Sequence, residues 1–204
     1  MVRIMGIIPS LFALMEKKVS TNPVVVSFYA RRYHQVIRKE IELAQITDSD
    51  QILNIGCGGI PYTAIHMAKF TGARVIAIDR DQEAVEAAQN CVSSLKMQDQ
   101  VTVAKADGTE KIPFYFNVAI AALQCEPKDK ILENLMSAGD DGARLIFRRP
   151  REGVESQYNK LPDTITPHSM VVQNKATFDG SVLYRIENNK TRREKDFSTL
   201  VTAV

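Results

Sequence analysis

The chain of 204 residues has no tryptophan, only three cysteines and almost no surplus of charge. Its 26 lysines and arginines nearly balance 24 aspartates and glutamates, for a net charge of +2. Domains that grip a nucleic-acid backbone carry a basic excess or stripe, so this balance gives no basis for a nucleic-acid partner. Cys57, Cys91 and Cys125 are odd in number and unpatterned in spacing. That argues against a disulfide framework and for a reducing, cytoplasmic setting. The three histidines show no ligand spacing with them, so no metal site is expected. No apolar run reaches the ~18 residues of a membrane span. Arg3 to Met15 is broken by Pro9, followed at once by Glu16-Lys17-Lys18, and lacks a small-residue cleavage site. It reads as a short packing helix rather than a signal peptide. Ten glycines and eight prolines exclude collagen-like and low-complexity classes.

What is present is an ordinary globular composition, 45% hydrophobic, in a length that suits one domain with a proper core. Residues 1–47 read as a helical cap. Ser20-Thr21-Asn22-Pro23 restarts the helix, and Val24, Val25, Phe28, Tyr29, Val36, Ile37, Ile41 and Ala44 then recur near a 3.6-residue period. Residues 48–187 alternate short apolar strands with helices. Strands are predicted at 51–55, 73–78, 101–105, 118–123 and 143–147, and helices at 61–70, 81–95 and 128–138, with Asp81 as an N-cap. Ser169 to Gln173 and Ser181 to Ile186 form two further β-rich runs with no room for a crossover helix between them, hence an antiparallel pair. The expected fold is α/β: a doubly wound, mainly parallel seven-stranded sheet with an antiparallel C-terminal pair. Residues 188–204 read as a polar tail.

Asn54-Ile55-Gly56-Cys57-Gly58-Gly59-Ile60-Pro61 closes the first strand and opens a helix. Glycines there let the chain turn sharply and let a ligand approach the main chain, and the helix N-terminus offers N–H groups to an anion. A dinucleotide fingerprint needs glycine where Pro61 stands, and a Walker loop needs Gly-Lys-Ser/Thr; neither is met. Asp79, at the end of the second strand, can accept both hydroxyls of an adenosine ribose, and Asp107-Gly108 after the third strand can accept from an adenine amine. Arg80 beside Asp79 and Ala122 at the end of the fourth strand fall at the same edge.

These features resemble the class I S-adenosylmethionine-dependent methyltransferases over about residues 50–187. The resemblance implies S-adenosylmethionine as cofactor, with Gly56 and Gly58 under its methionine part, Asp79 at the ribose, Asp107 with Gly108 at the adenine, and Cys57, Gly59, Arg80 and Ala122 as further cofactor-binding positions. Asn54 departs from the pattern, since many members carry an acid there. Within that superfamily, Gly56-x-Gly58-x-Ile60-Pro61-x-Thr63-x-Ile65, Ala121-Ala122-Leu123 and Gly142-Ala143-Arg144-Leu145 resemble the nicotianamine synthases. Those enzymes move the aminocarboxypropyl group rather than the methyl group and release methylthioadenosine. The expected function is therefore transfer from S-adenosylmethionine to a small-molecule acceptor. Methyl transfer is the leading reading and aminocarboxypropyl transfer the alternative. A cofactor-binding protein without catalysis is the competing class.

Tyr29 and Tyr33, four apart on one helix face, are candidate catalytic groups, with His34 beside them. His66 reads as a packing residue, and Cys57 as a small residue chosen for fit. Arg148-Arg149-Pro150-Arg151 reads as a basic turn after the fifth strand that could hold an acidic acceptor. The apolar N-terminal helix leaves room for a homodimer.

Overall fold

The protein is described from a computed structural model, for residues 34–187 with 155, 156, 159, 163, 174 and 176 set aside. The candidate bases Tyr29 and Tyr33, most of the cap and the polar tail lie outside the described residues.

Eleven elements are described: α1 (His34–Ala44), β1 (Gln51–Ile55), α2 (Tyr62–Thr71), β2 (Arg74–Asp79), α3 (Gln82–Ser94), β3 (Val101–Lys105), β4 (Val118–Ala121), α4 (Lys128–Ala138), β5 (Arg144–Pro150), β6 (Ser169–Val172) and β7 (Phe178–Arg185). The strands form one sheet in the order β3-β2-β1-β4-β5-β7-β6. The first five are parallel, and β7 runs antiparallel to both β5 and β6. The predicted antiparallel pair thus enters with β7 between β5 and the edge strand β6. Order reverses between β1 and β4, which opens a crevice at the carboxyl ends of the strands, where ligands of open α/β sheets bind.

Strand alternation sorts side chains onto the two faces. Ile52, Val75, Val118, Ile120, Ile146 and Leu183 meet α1, α2 and α3 on one face. Leu53, Ile78, Ala119, Leu145, Phe147 and Tyr184 meet Leu132 and Leu135 of α4 on the other. No described helix joins β3 to β4; Ile112 and Phe116 from that loop fill the place beside α4. The helix ends follow their sequence signals. Asp81 accepts the Glu83 amide at 3.0 Å and starts α3, and Gly72, in the left-handed region at φ +78°, ends α2.

Two expectations are corrected here. The strand predicted to end at Phe147 continues through Pro150, because Arg148 pairs in register with Ser181 and Arg149 with Gly180 on β7. Arg148 is not in a solvated turn: it is buried, and its guanidinium makes a two-pronged pair with Glu40 of α1, both contacts 2.9 Å. Arg148 also donates to the Thr63 hydroxyl at 3.2 Å, while the Ser181 hydroxyl donates to Glu40 at 2.7 Å. Arg149 pairs with Asp179 at the surface. Of the basic cluster, it is Arg148 that ties α1, α2, β5 and β7 together.

Candidate functional site

β1 ends at Ile55, and the chain turns at once. The Gly56 and Cys57 amides both donate to the Ile78 carbonyl of β2, at 2.9 and 3.1 Å. Gly56 holds φ +70°, and a Cβ there would overlap the sulfur of Cys125. Only glycine takes that backbone at no steric cost. The turn is closed from β2: the Asp79 carboxylate accepts the Gly58 amide at 2.9 Å with one oxygen and the Asp81 amide at 3.0 Å with the other. Both contacts leave lone pairs over.

Above this turn lies a cleft of about 280 Å³ at the carboxyl ends of β1 to β4. Of the residues expected from the sequence, Gly56, Cys57, Gly58, Asp79, Arg80, Asp107 and Gly108 line it; Gly59 and Ala122 do not. Gly108 is there because a Cβ would come within 2.7 Å of the Ile55 side chain. Asp107 accepts the amide of Thr109 at 2.9 Å and its hydroxyl at 2.8 Å, both on one oxygen. The Thr109 amide, its hydroxyl, and the positive charges of Arg80 and Lys130 hold its carboxyl below the ordinary aspartate range against a desolvation cost. It stands in the cleft as an acceptor.

Asn54, in the place of an acid, is buried on β1; its amide nitrogen donates to the Ile120 carbonyl at 3.3 Å, and its oxygen has no partner among the described residues. His34, His66 and Phe70 form an aromatic cluster with ring centroids 4.5–5.1 Å apart, and none of them lines the cleft. Sequence reasoning did not single out the wall after β4: Gln124, Cys125 and Glu126 face the cleft, as does Tyr62 from the start of α2. The Cys125 thiol donates to the Ile55 carbonyl at 3.2 Å, and burial pushes its pKa up to about 11 against the opposing charge of Lys128. A thiol that protonated is a packing group rather than a nucleophile. No group of three or more histidine, cysteine or acidic side chains among the described residues is arranged to hold a metal ion.

The strand order, with its antiparallel insertion and its glycine turn closed by the acid of β2, defines the class I S-adenosylmethionine-dependent methyltransferase fold. Within that class, the family model for protein-L-isoaspartate(D-aspartate) O-methyltransferase (PCMT) matches residues 23–177, and the chain belongs to this family. That places it among the S-adenosylmethionine-dependent transferases. A curated relative, the L-histidine 2-aminobutanoyltransferase of Yersinia pestis, is 33% identical over 73 residues. The aligned stretch is 36% of this chain and 28% of that enzyme. Among solved structures, a variant of the nicotianamine synthase MtNAS in complex with S-adenosylmethionine superposes with a TM-score of 0.74 at 23% identity, over 85% of this chain and 71% of that one. An RNA methyltransferase from Salinibacter ruber in complex with S-adenosyl-L-homocysteine gives 0.58 at 20% identity, over 76% and 92%. These two likenesses are of fold. No described helix is long and apolar enough to cross a membrane.

Proposed function

We propose that the cleft binds S-adenosylmethionine and that the protein transfers the 3-amino-3-carboxypropyl group of that cofactor to a small-molecule amine. The closing of the glycine turn by Asp79 carries the cofactor part of this reading. It sets a carboxylate with spare lone pairs beside a tight main-chain surface, a combination suited to a ribose and the chain attached to it. In this reading Asp79 takes the ribose hydroxyls, Asp107 accepts from the adenine amine, and the turn from Gly56 to Gly58 carries the methionine part. The cofactor's sulfonium activates all three carbons bonded to it. An amine lone pair attacks the γ-carbon of the methionine chain, the bond from that carbon to sulfur breaks, and its electron pair stays on sulfur as methylthioadenosine leaves. The amine then loses its proton. The protein's part is to align the γ-carbon with the amine.

The 33% identical stretch of the aminobutanoyltransferase favours this outcome. Methyl transfer is the second reading, favoured by the family model; there the amine or oxygen attacks the methyl carbon and S-adenosylhomocysteine leaves. The same reading treats residues 1–47 as a cap over 48–187, 188–204 as a polar tail, the protein as cytoplasmic, and pairing of two copies through the cap as a homodimer. Incubation with S-adenosylmethionine and a pool of amines and amino acids, followed by mass spectrometry of the nucleoside product, tests it. Methylthioadenosine above the spontaneous background is the expected product. S-adenosylhomocysteine would establish methyl transfer instead, and neither product, with tight cofactor binding, would establish a binding protein.

A further inference from the structure

Lys128 is the first residue of α4 and is completely buried. Two features make this an expensive place for an ammonium. Burial strips its water and draws its pKa from 10.5 down to about 8, against the favourable charge of Glu126. A cation at the first turn of a helix also meets the positive end of the helix dipole. The ammonium is directed at main chain: Nζ donates to the Leu123 carbonyl at 2.7 Å and to the Cys125 carbonyl at 3.1 Å. Those carbonyls bracket Gln124 in the segment that walls the cleft. The segment in turn touches the glycine turn, since the Cys125 thiol bonds the Ile55 carbonyl and lies against Gly56.

We propose that Lys128 is a positioning residue whose buried ammonium fixes the wall after β4 against the glycine turn, and thereby sets the affinity for the methionine part of the cofactor. The inference rests on the reading of the cleft as an S-adenosylmethionine site. A fold stabiliser alone would treat all cofactor fragments alike. A residue acting through Cys125 and Gly56 acts on the methionine end and spares the nucleoside end, where Asp79 and Asp107 lie.

The test is calorimetric titration of the full chain and its Lys128→Met and Lys128→Arg variants with S-adenosylmethionine and, separately, with methylthioadenosine, which lacks the aminocarboxypropyl chain. Folding of each variant is checked by circular dichroism. Lys128→Met should weaken S-adenosylmethionine about tenfold, the equivalent of one lost charge-assisted hydrogen bond. Methylthioadenosine should change by less than about twofold on the same scale. Lys128→Arg, which keeps the charge and its donors, should recover most of the loss. If Lys128→Met does not fold, Lys128→Gln gives the same comparison with a neutral donor. Equal weakening of both ligands, or no weakening of either, overturns the positioning role while the site stands. Failure of the unaltered protein to bind either ligand overturns the site and the inference together.

Discussion

The Asp79 carboxylate accepts the amide of Gly58 at 2.9 Å, so the end of β2 holds the turn that follows β1. One side chain thus shapes the floor of the cleft and presents an acceptor to it. Asp79→Ala removes both functions. It should weaken S-adenosylmethionine binding by about 1.5–3 kcal/mol, the range for hydrogen bonds to a charged group. Asp107→Ala should cost less, because the apolar side chains of Ala106 and Ile131 that line the cleft beside it remain. Titration calorimetry on the two variants checks the order, and the reverse order would move the ribose to Asp107.

Gly56 cannot carry a side chain beside Cys125. Gly56→Ala should therefore weaken cofactor binding through displacement of the wall. Adding Cys125→Ala to it removes the overlap but leaves the φ of +70°, a strain of roughly 1–2 kcal/mol. Affinity in the double variant should lie between those of Gly56→Ala and the unaltered protein. No recovery would mean that the backbone angle, rather than the thiol, is the constraint.

The buried pair of Glu40 and Arg148 predicts a large stability effect. Glu40→Ala leaves a guanidinium buried without its counter-charge, which costs roughly 3–5 kcal/mol. Replacing both members, Glu40→Leu with Arg148→Met, removes the orphaned charge and should return most of that loss. Urea unfolding of the single and double variants measures it. A single variant as stable as the parent would show that Arg148 reaches water when Glu40 is gone.

Lys128 ties stability to pH. Burial lowers its pKa in the folded protein to about 8. Below that pH both states hold the proton, and folding carries the full cost of the desolvated ammonium. As pH rises past 8 the folded protein releases the proton while the unfolded chain keeps it, so the unfolded state binds more protons and stability rises. Relative to Lys128→Met, the protein should gain roughly 1 kcal/mol between pH 7 and pH 9 from that linkage. Urea midpoints at the two pH values decide it; a flat difference would mean that the amine stays charged throughout.

Much of this was legible in the amino-acid order. The alternation of β-rich runs with helices predicts the sheet, because a strand buried on both faces, such as Val118-Ala119-Ile120-Ala121, reads as a continuous apolar run. The glycine turn and the acids at 79 and 107 are legible because each occupies the end of a strand, where main-chain geometry dictates residue type. Glu40 and Arg148 were not. A charged residue in an amphipathic helix, and arginines beside a proline, look solvated until a partner 108 positions away is known. The wall of Gln124, Cys125 and Glu126 was equally silent. It owes its place to a lysine that follows it and to contacts with Ile55 and Gly56, about 70 residues earlier in the chain, and no local pattern encodes that.

The network around Glu40 bears on how such a protein can change. Glu40, Thr63, Arg148 and Ser181 come from four separate elements, so α1 is no exchangeable module. A foreign helix grafted in its place would leave a buried guanidinium without its counter-charge and the Ser181 hydroxyl without its acceptor at once. Change in the cleft is therefore far more accessible through single side chains that line it than through exchange of α1 for the helix of a relative.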